Sequence, residues 1–198
     1  MMRSSSTSTK RGFYLVGIEN GEVVGAVSAV MTPGTAGGPP FGFIGFFIVK
    51  LEHRKKGLGK QLFDAALSRL SPCSTIGLDA VLAQAPRYAS LGFVARHANV
   101  RFSCAATPSV PADPGVLTNA PPEAIVAYDA PFYPGERFAF AAGWWSHPAH
   151  FSRAILGARG EVQGYGVVCP SEAGWRIGPL FADAPTDAAR LLSSLRGA

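Results

Sequence analysis

The sequence predicts an α+β protein with a mixed central sheet and flanking helices in its first half, followed by a second, smaller α/β domain. Three observations carry that expectation. An Asn-Gly hairpin leads into an almost continuously apolar strand and then an amphipathic helix; a Pro- and Ala-rich stretch interrupts the middle of the chain; and the order hairpin, apolar strand, helix then recurs.

Residues 13–18 and 23–30 are β-branched or apolar runs joined by Glu19-Asn20-Gly21-Glu22, where Asn-Gly supplies the positive φ angles of a tight turn. Residues 31–40 are broken by Gly and Pro and read as loop. Residues 41–49 are nearly all apolar, as in a strand covered on both faces, and Gly42 and Gly45 point to a bulge or a close backbone approach within it. From Leu58 the period changes: Leu62, Phe63, Ala66, Leu67 and Leu70 mark one face of a helix that stops before Pro72. A strand over 76–81 and a short helix over 82–91, stopped by Gly92, follow, and 93–102 alternate as a strand or hairpin.

Residues 105–122 are rich in Pro, Ala, Thr and Ser and read as a linker. Beyond it, Arg159-Gly160-Glu161-Val162-Gln163-Gly164 echoes Asn20-Gly21-Glu22-Val23-Val24-Gly25, and a strand over 175–181 and a helix over 186–195 follow in the same order. A divergent internal repeat explains this, as does turn chemistry shared by two unrelated hairpins. The expected divisions are a disordered Ser-rich tail over 1–12, a core over 13–104, the linker, and a second domain over 123–198.

An apolar content of 47% excludes general disorder, and no apolar run reaches the roughly 18 residues of a membrane-spanning helix, so no membrane partner is expected. Cys73, Cys104 and Cys169 are odd in number and widely spaced, which implies neither a disulfide framework nor a zinc site and suits a reducing cytoplasm. No second His stands at metal-ligand spacing, so no metal is expected. The net charge of +5 gathers in Arg54, Lys55, Lys56 and Lys60, which suggests an anionic partner. The basic helix or aromatic-basic sheet pattern of a nucleic-acid binder is missing, and a small polyanion suits the compact cluster better.

The order buried strand, basic turn, Arg54-Lys55-Lys56-Gly57-Leu58-Gly59, amphipathic helix has a physical purpose. Amides at a helix start have no intrahelical acceptor, the helix dipole favours anions there, and Gly57 and Gly59 leave no Cβ to hold phosphate oxygens away. Here the sequence resembles the GNAT superfamily of N-acetyltransferases, whose acetyl-CoA site uses R-x-x-G-x-G at this junction. Tyr88-Ala89-Ser90-Leu91-Gly92-Phe93 likewise resembles the family's Y-x-x-x-G-F ending. Phe43-Ile44-Gly45, Ile76-Gly77-Leu78-Asp79 and Arg176-Ile177-Gly178-Pro179-Leu180-Phe181-Ala182-Asp183 are similar to the two-domain YitH-type branch.

The resemblance implies a GNAT-like core plus a degenerate GNAT-like second domain, with acetyl-CoA as co-substrate. Phe47, Ile48 and Val49 would line the acyl-CoA and residues 54–60 (Arg54, Lys55, Lys56, Gly57, Leu58, Gly59 and Lys60) would hold its diphosphate. A backbone N–H near Phe47 or Ile48 would face the developing oxyanion, and Tyr88 would protonate the departing thiolate. Tyr88 packing the helix as an ordinary core residue, and Lys55 and Lys56 as a solvated cluster, are the plain alternatives. Glu22, Glu52, His53 and Asp79 are candidate bases. Asp79 is preferred, although a capping carboxylate would look the same and His53 reads better as a solvated turn residue. Trp144 and Trp145 read as core or interface aromatics.

The acceptor implied is a small-molecule or peptide amine. The family's domain opens with a strand and two helices ahead of the hairpin, where this sequence has only the polar tail, and the YitH-type pattern continues past Ala198. Either the gene product is shortened, or the second domain or a partner chain, as in a homodimer, is expected to supply the missing acceptor wall. The second repeat places Asp183 where phosphate would sit and is not expected to bind CoA. A CoA-binding regulator or scaffold without turnover is the competing reading, and a basic nucleic-acid binder rests on net charge alone.

Overall fold

The computed structural model describes residues 2–5, 12–105, 113, 115–117 and 119–197. The chain divides into two compact units, Met1–Val100 with Pro134–Glu136, and Arg101–Tyr133 with Arg137–Ala198.

The first unit runs β1 (Met2–Ser5), β2 (Gly12–Glu19), β3 (Glu22–Thr32), β4 (Phe41–Val49), α1 (Leu58–Arg69), β5 (Thr75–Leu78) and α2 (Ala85–Ser90). Its sheet has the order β1-β2-β3-β4-β5, antiparallel except for the parallel pair β4 and β5. A parallel pair needs a crossover, and α1 provides it. Asn20 and Gly21 both take positive φ, 50° and 86°, so the hairpin turn matches the twist of its strands. Leu62, Phe63 and Ala66 of α1 and Leu70, its C-cap, are buried against Val27, Ala29 and Ile44 of the sheet. Each large side chain so covered contributes about 1.5 to 3 kcal/mol. Gly25 lets helix and sheet approach: a Cβ there would stand 3.0 Å from Leu62 Cδ1 and 3.2 Å from the Ile48 carbonyl oxygen.

The second unit runs β6 (Val116–Leu117), α3 (Pro122–Asp129), α4 (Phe138–Trp145), β7 (Phe151–Leu156), β8 (Val162–Ser171), β9 (Gly174–Ala182) and α5 (Pro185–Arg196), with an antiparallel sheet in the order β6-β7-β8-β9. Its β7-β8-β9-α5 repeats the plan of β2-β3-β4-α1 down to its irregularities. The hairpin registers shift at Gly17/Ile18 in one and Ile155/Leu156 in the other, and the next pairs shift between Ala26/Ser28 and Gly166/Val168. Trp145 is buried and donates Nε1–H to the Ala120 carbonyl at 3.1 Å, which makes it a core residue. Asp129 is 1% exposed; it accepts both Arg137 Nε–H and Nη2–H at 2.7 Å and the Tyr165 hydroxyl. Burial first, and that hydrogen bond second, push the Tyr165 phenol well above the usual range.

Several expectations are corrected. Met2–Ser5, expected in a disordered tail, form a strand on β2, whose free edge offers hydrogen-bonding groups to any extended segment; residues 6–11 lie outside the described residues. Residues 93–102 are not a strand: they are largely exposed and β5 remains the sheet edge, so their alternation buries no face. Within the expected linker, Val116–Leu117 pair with β7, and 106–112, 114 and 118 lie outside the described residues. The strand expected over 76–81 ends at Leu78, and the helix expected over 82–91 is a 3₁₀ turn (Leu82–Gln84) followed by α2. Among the described residues no helix is long and apolar enough to cross a membrane.

All three tryptophans (Trp144, Trp145 and Trp175) lie in the second unit, so their fluorescence reports on that unit. Asp129→Ala strands Arg137 without its buried partner and is expected to cost about 3 to 5 kcal/mol in a urea titration followed by that signal. The exposed Arg159→Ala should leave the midpoint nearly unchanged.

Candidate functional site

The site begins where β4 leaves its neighbours. Pairing with β5 covers Phe41–Ile44 against Thr75–Leu78 and stops there, so among the described residues the C-terminal half of β4 has no strand on that side. In the same stretch one residue of β3, Val27, faces two of β4, Phe46 and Phe47. This is a bulge, and it falls just after Gly45 rather than at Gly42 or Gly45 themselves. Phe46 sits at φ 46°, a conformation that costs a bulky residue about 1 to 3 kcal/mol.

Hydrogen-bond direction alternates along a strand. Lys50 N–H donates to the Val24 carbonyl at 2.9 Å, so Ile48 also faces β3, while Phe47 and Val49 face the open side. The Val49 carbonyl confirms this by accepting Arg54 Nε–H at 2.9 Å. Of the two amides considered for an oxyanion, Phe47 is therefore the one directed into the opening.

Past β4 the chain makes a 3₁₀ turn (Leu51–His53), and Lys55 and Gly57 take left-handed φ angles of 59° and 86° before α1 begins. Gly57 is the N-cap, with no side-chain cap and no acid in the first turn. The first intrahelical bond is Gln61 N–H to the Gly57 carbonyl at 3.1 Å. Among the described residues, the amides from Gly57 through Lys60 meet no acceptor, while Arg54 and Lys55 form a hydrogen-bonded turn that closes at Lys56. A run of unsatisfied N–H groups at the positive end of a helix dipole is a ready anion site. The two glycines differ: Gly57 is required by its φ, whereas a Cβ on Gly59 would meet only Phe47 Cζ at 3.5 Å and Val49 Cγ2 at 3.7 Å, an ordinary contact.

The basic side chains divide by role. Arg54 ties the turn to β4, and Lys60 Nζ meets Asp64 Oδ2 at 2.6 Å one turn along α1, a pairing legible in the i,i+4 spacing. Lys55 and Lys56 are exposed and hold no partner among the described residues.

Tyr88 stands in an aromatic cluster that links the bulge to α1 and α2. Phe63 lies 5.6 Å from Phe47, 5.7 Å from Tyr88 and 6.1 Å from Phe93, centroid to centroid. The Y-x-x-x-G-F spacing has a conformational reason. Gly92 takes φ 90°, its N–H donates to the Ala89 carbonyl at 3.0 Å, and Phe93 N–H donates to the Tyr88 carbonyl at 3.1 Å, a Schellman cap with the Tyr88–Phe93 ring contact as its apolar seal. Arg87 lies over the Phe47 ring at 5.8 Å, a contact that sequence spacing does not reveal.

The structure brings none of the candidate bases to Tyr88 through any contact among the described residues. Asp79, one residue past β5, accepts Asn99 Nδ2–H at 3.1 Å and caps no helix, because Val81 precedes the next turn. Glu22 pairs with Lys50 at 3.1 Å, and His53 Nδ1 lies 3.0 Å from Glu19 Oε2. His53 is thus a side-chain partner of Glu19 and not a solvated turn residue. Among the described residues no group of three or more His, Cys, Asp or Glu is placed to hold a metal ion.

The corresponding corner of the second unit is occupied by its own groups. Tyr128 donates its hydroxyl to Asp183 Oδ1 at 2.7 Å, just ahead of α5, and Asp187 stands in the first turn of that helix. Burial and the Asp183 carboxylate push the Tyr128 phenol well above the usual range.

The model of the acetyltransferase (GNAT) family matches residues 3–96, and that of an acetyltransferase (GNAT) domain matches residues 125–198. An acetyltransferase structure from Trypanosoma brucei is 31% identical, over 47% of this chain and 69% of its own, with a TM-score of 0.42. A structure from Pyrococcus horikoshii, provisionally assigned as an acetyltransferase, is 22% identical with a TM-score of 0.71; the match covers 93% of this chain and 60% of that one, and at this identity the likeness is one of fold. No curated protein matches the sequence.

Inorganic diphosphate titrated into ¹⁵N-labelled protein is expected to shift the amide resonances of residues 55–60 and leave those at the start of α5 in place. Unmoved resonances at 55–60 would remove the anion site.

Proposed function

The chain belongs to the GNAT family of acetyltransferases, and from that premise we propose that it moves an acetyl or other short acyl group from acyl-CoA to a small-molecule or peptide amine by direct attack on the thioester. The observation that carries this reading is the run of amides from Gly57 through Lys60 that meet no acceptor among the described residues, set beside a strand edge that opens at Phe47. A diphosphate satisfies several of those amides at once, and the extended pantetheine arm suits the unpaired side of β4.

Magnitudes assign the parts. An exposed Lys–phosphate contact is worth around 1 kcal/mol, whereas micromolar affinity needs about 8, so the backbone cradle and the β4 edge supply most of the binding and Lys55 and Lys56 adjust it. In the transfer step the amine nitrogen forms a bond to the thioester carbon while Phe47 N–H stabilises the oxyanion. The carbon–sulfur bond then breaks, its electron pair leaves on sulfur, and Tyr88 gives its hydroxyl proton to that sulfur. The proton of the attacking amine leaves to water or to Asp79, the carboxylate just beyond the C-terminal end of β5. The second unit, with Asp183 and Asp187 where an anion would need donors, serves as a structural partner of the YitH-type two-domain arrangement and not as a second CoA site.

Tyr88→Phe is expected to lower thiol release from acetyl-CoA with an amine panel by about 10- to 1000-fold, with CoA affinity nearly unchanged; equal turnover would discard the role. Gly59→Ala should weaken CoA binding in calorimetry more than Lys55→Ala, since the protein itself tolerates the added methyl and the phosphate does not. Acetyl-CoA binding without thiol release for any amine would identify a CoA-binding regulator instead.

A further inference from the structure

We infer that Glu19 and His53 form a positioning pair that holds the amide-bearing turn in its binding shape, an inference that rests on the acyl-CoA reading above. The turn between β4 and α1 is tied at its start, where Lys50 N–H meets the Val24 carbonyl at 2.9 Å and Lys50 Nζ meets Glu22 Oε2 at 3.1 Å. Arg54 then reaches back to Val49, within the same stretch of chain. The side-chain tie from the apex of the turn to another element is His53 Nδ1 to Glu19 Oε2 at 3.0 Å, with Glu52 Oε1 3.9 Å from the other ring nitrogen.

Glu19 closes β2 next to the Asn20-Gly21 turn, so the anchor is a fixed corner of the sheet. The His53 side chain is only 18% exposed, against 57% for Glu19. Packing does not back the turn from this side. A pocket of about 460 Å³ lies between the hairpin end and the helix mouth, and Glu19, His53, Lys56 and Gln61 line it. The Glu19–His53 contact thus ties the turn to the sheet across the rim of that space.

What the pair protects is conformational. Immediately after His53 and Arg54 come the left-handed Lys55 and Gly57, and Lys55 is a residue that rarely adopts that region. Released from Glu19, the turn relaxes toward commoner backbone angles, and the amide of Gly57 leaves the row that continues through Leu58 and Gly59. Neither side chain touches the reacting atoms, so both are positioning residues.

The test is acetyl-CoA calorimetry on the full chain and on Glu19→Ala, His53→Ala, the double variant and His53→Asn, which keeps an N–H donor near the place of Nδ1. Each alanine variant is expected to weaken binding about three- to tenfold, the double variant no more than either single one, and His53→Asn close to the unaltered protein. Thermal midpoints should change little, because an exposed pair adds little global stability. Alanine variants that bind as tightly as the unaltered chain, additive losses, or a His53→Asn variant as weak as His53→Ala would overturn the positioning role alone. Failure of the unaltered chain to bind acetyl-CoA would overturn the acyl-CoA reading and this inference with it.

Discussion

Peptide N–H groups need acceptors, and a fold that leaves several adjacent ones without any must either expose them to water or present them to a ligand. The first unit does this at the mouth of α1. The amides from Gly57 through Lys60 meet no acceptor among the described residues, no side chain caps the helix and no carboxylate enters its first turn. Two left-handed residues, Lys55 and Gly57, create the run by turning the chain sharply into the helix. The rest of the unit holds this arrangement in place. Burial of Leu62, Ala66 and Leu70 fixes the axis of α1, and Gly25 allows that axis to lie close to the sheet.

The second requirement is an open strand edge beside the cradle, and β4 provides it by two departures from regularity. The bulge at Phe46 and Phe47 redirects the strand, and the pairing with β5 ends at Ile44. The strained φ of Phe46 persists because both flanks are locked: Ser28 pairs with Gly45 before the bulge, and Ala26 and Gly25 pair with Ile48 and Val49 after it. Phe47 then serves twice. Its backbone faces the opening, and its ring joins Phe63, Tyr88 and Phe93, so the strand edge and the tyrosine belong to one packed cluster.

Much of this was legible in the sequence wherever hydrophobic period or turn chemistry dictated it. The Asn20-Gly21 hairpin, the bounds of β4, the start of α1 at Leu58 and the helix after Pro185 all follow from local patterns. The elements that escaped lack such patterns. β1 is a short polar strand that depends on the free edge of β2. α4 has the sequence Phe138-Ala139-Phe140-Ala141-Ala142-Gly143-Trp144-Trp145, with no polar face to reveal a helical period. Residues 93–102 show the reverse failure, an alternation that suggests a strand although no neighbour pairs with it. At the site, glycine spacing pointed to the turn between β4 and α1, where Gly57 takes a left-handed φ. The Arg54 link to Val49 and the Glu19–His53 pair were hidden, because backbone acceptors and contacts between remote segments leave no trace in spacing.

The two units show why such a site is read from its mouth and not from its fold. Both carry the hairpin, the bulged third strand and the following helix, with register shifts at matching places. In the first unit the helix opens on glycine, with the exposed Lys55 and Lys56 beside it and no acid in the first turn. In the second it opens on Ala184 and Pro185, which removes one N–H, while Asp183 holds Tyr128 and Asp187 sits in the first turn. Carboxylates there place negative charge at the positive end of the helix dipole from within the chain, which opposes an external anion. One backbone plan thus supports opposite electrostatics, and the difference resides in the few residues at the strand-to-helix junction. Those residues decide whether the positive end of the helix is available to a ligand or already compensated by the protein's own side chains.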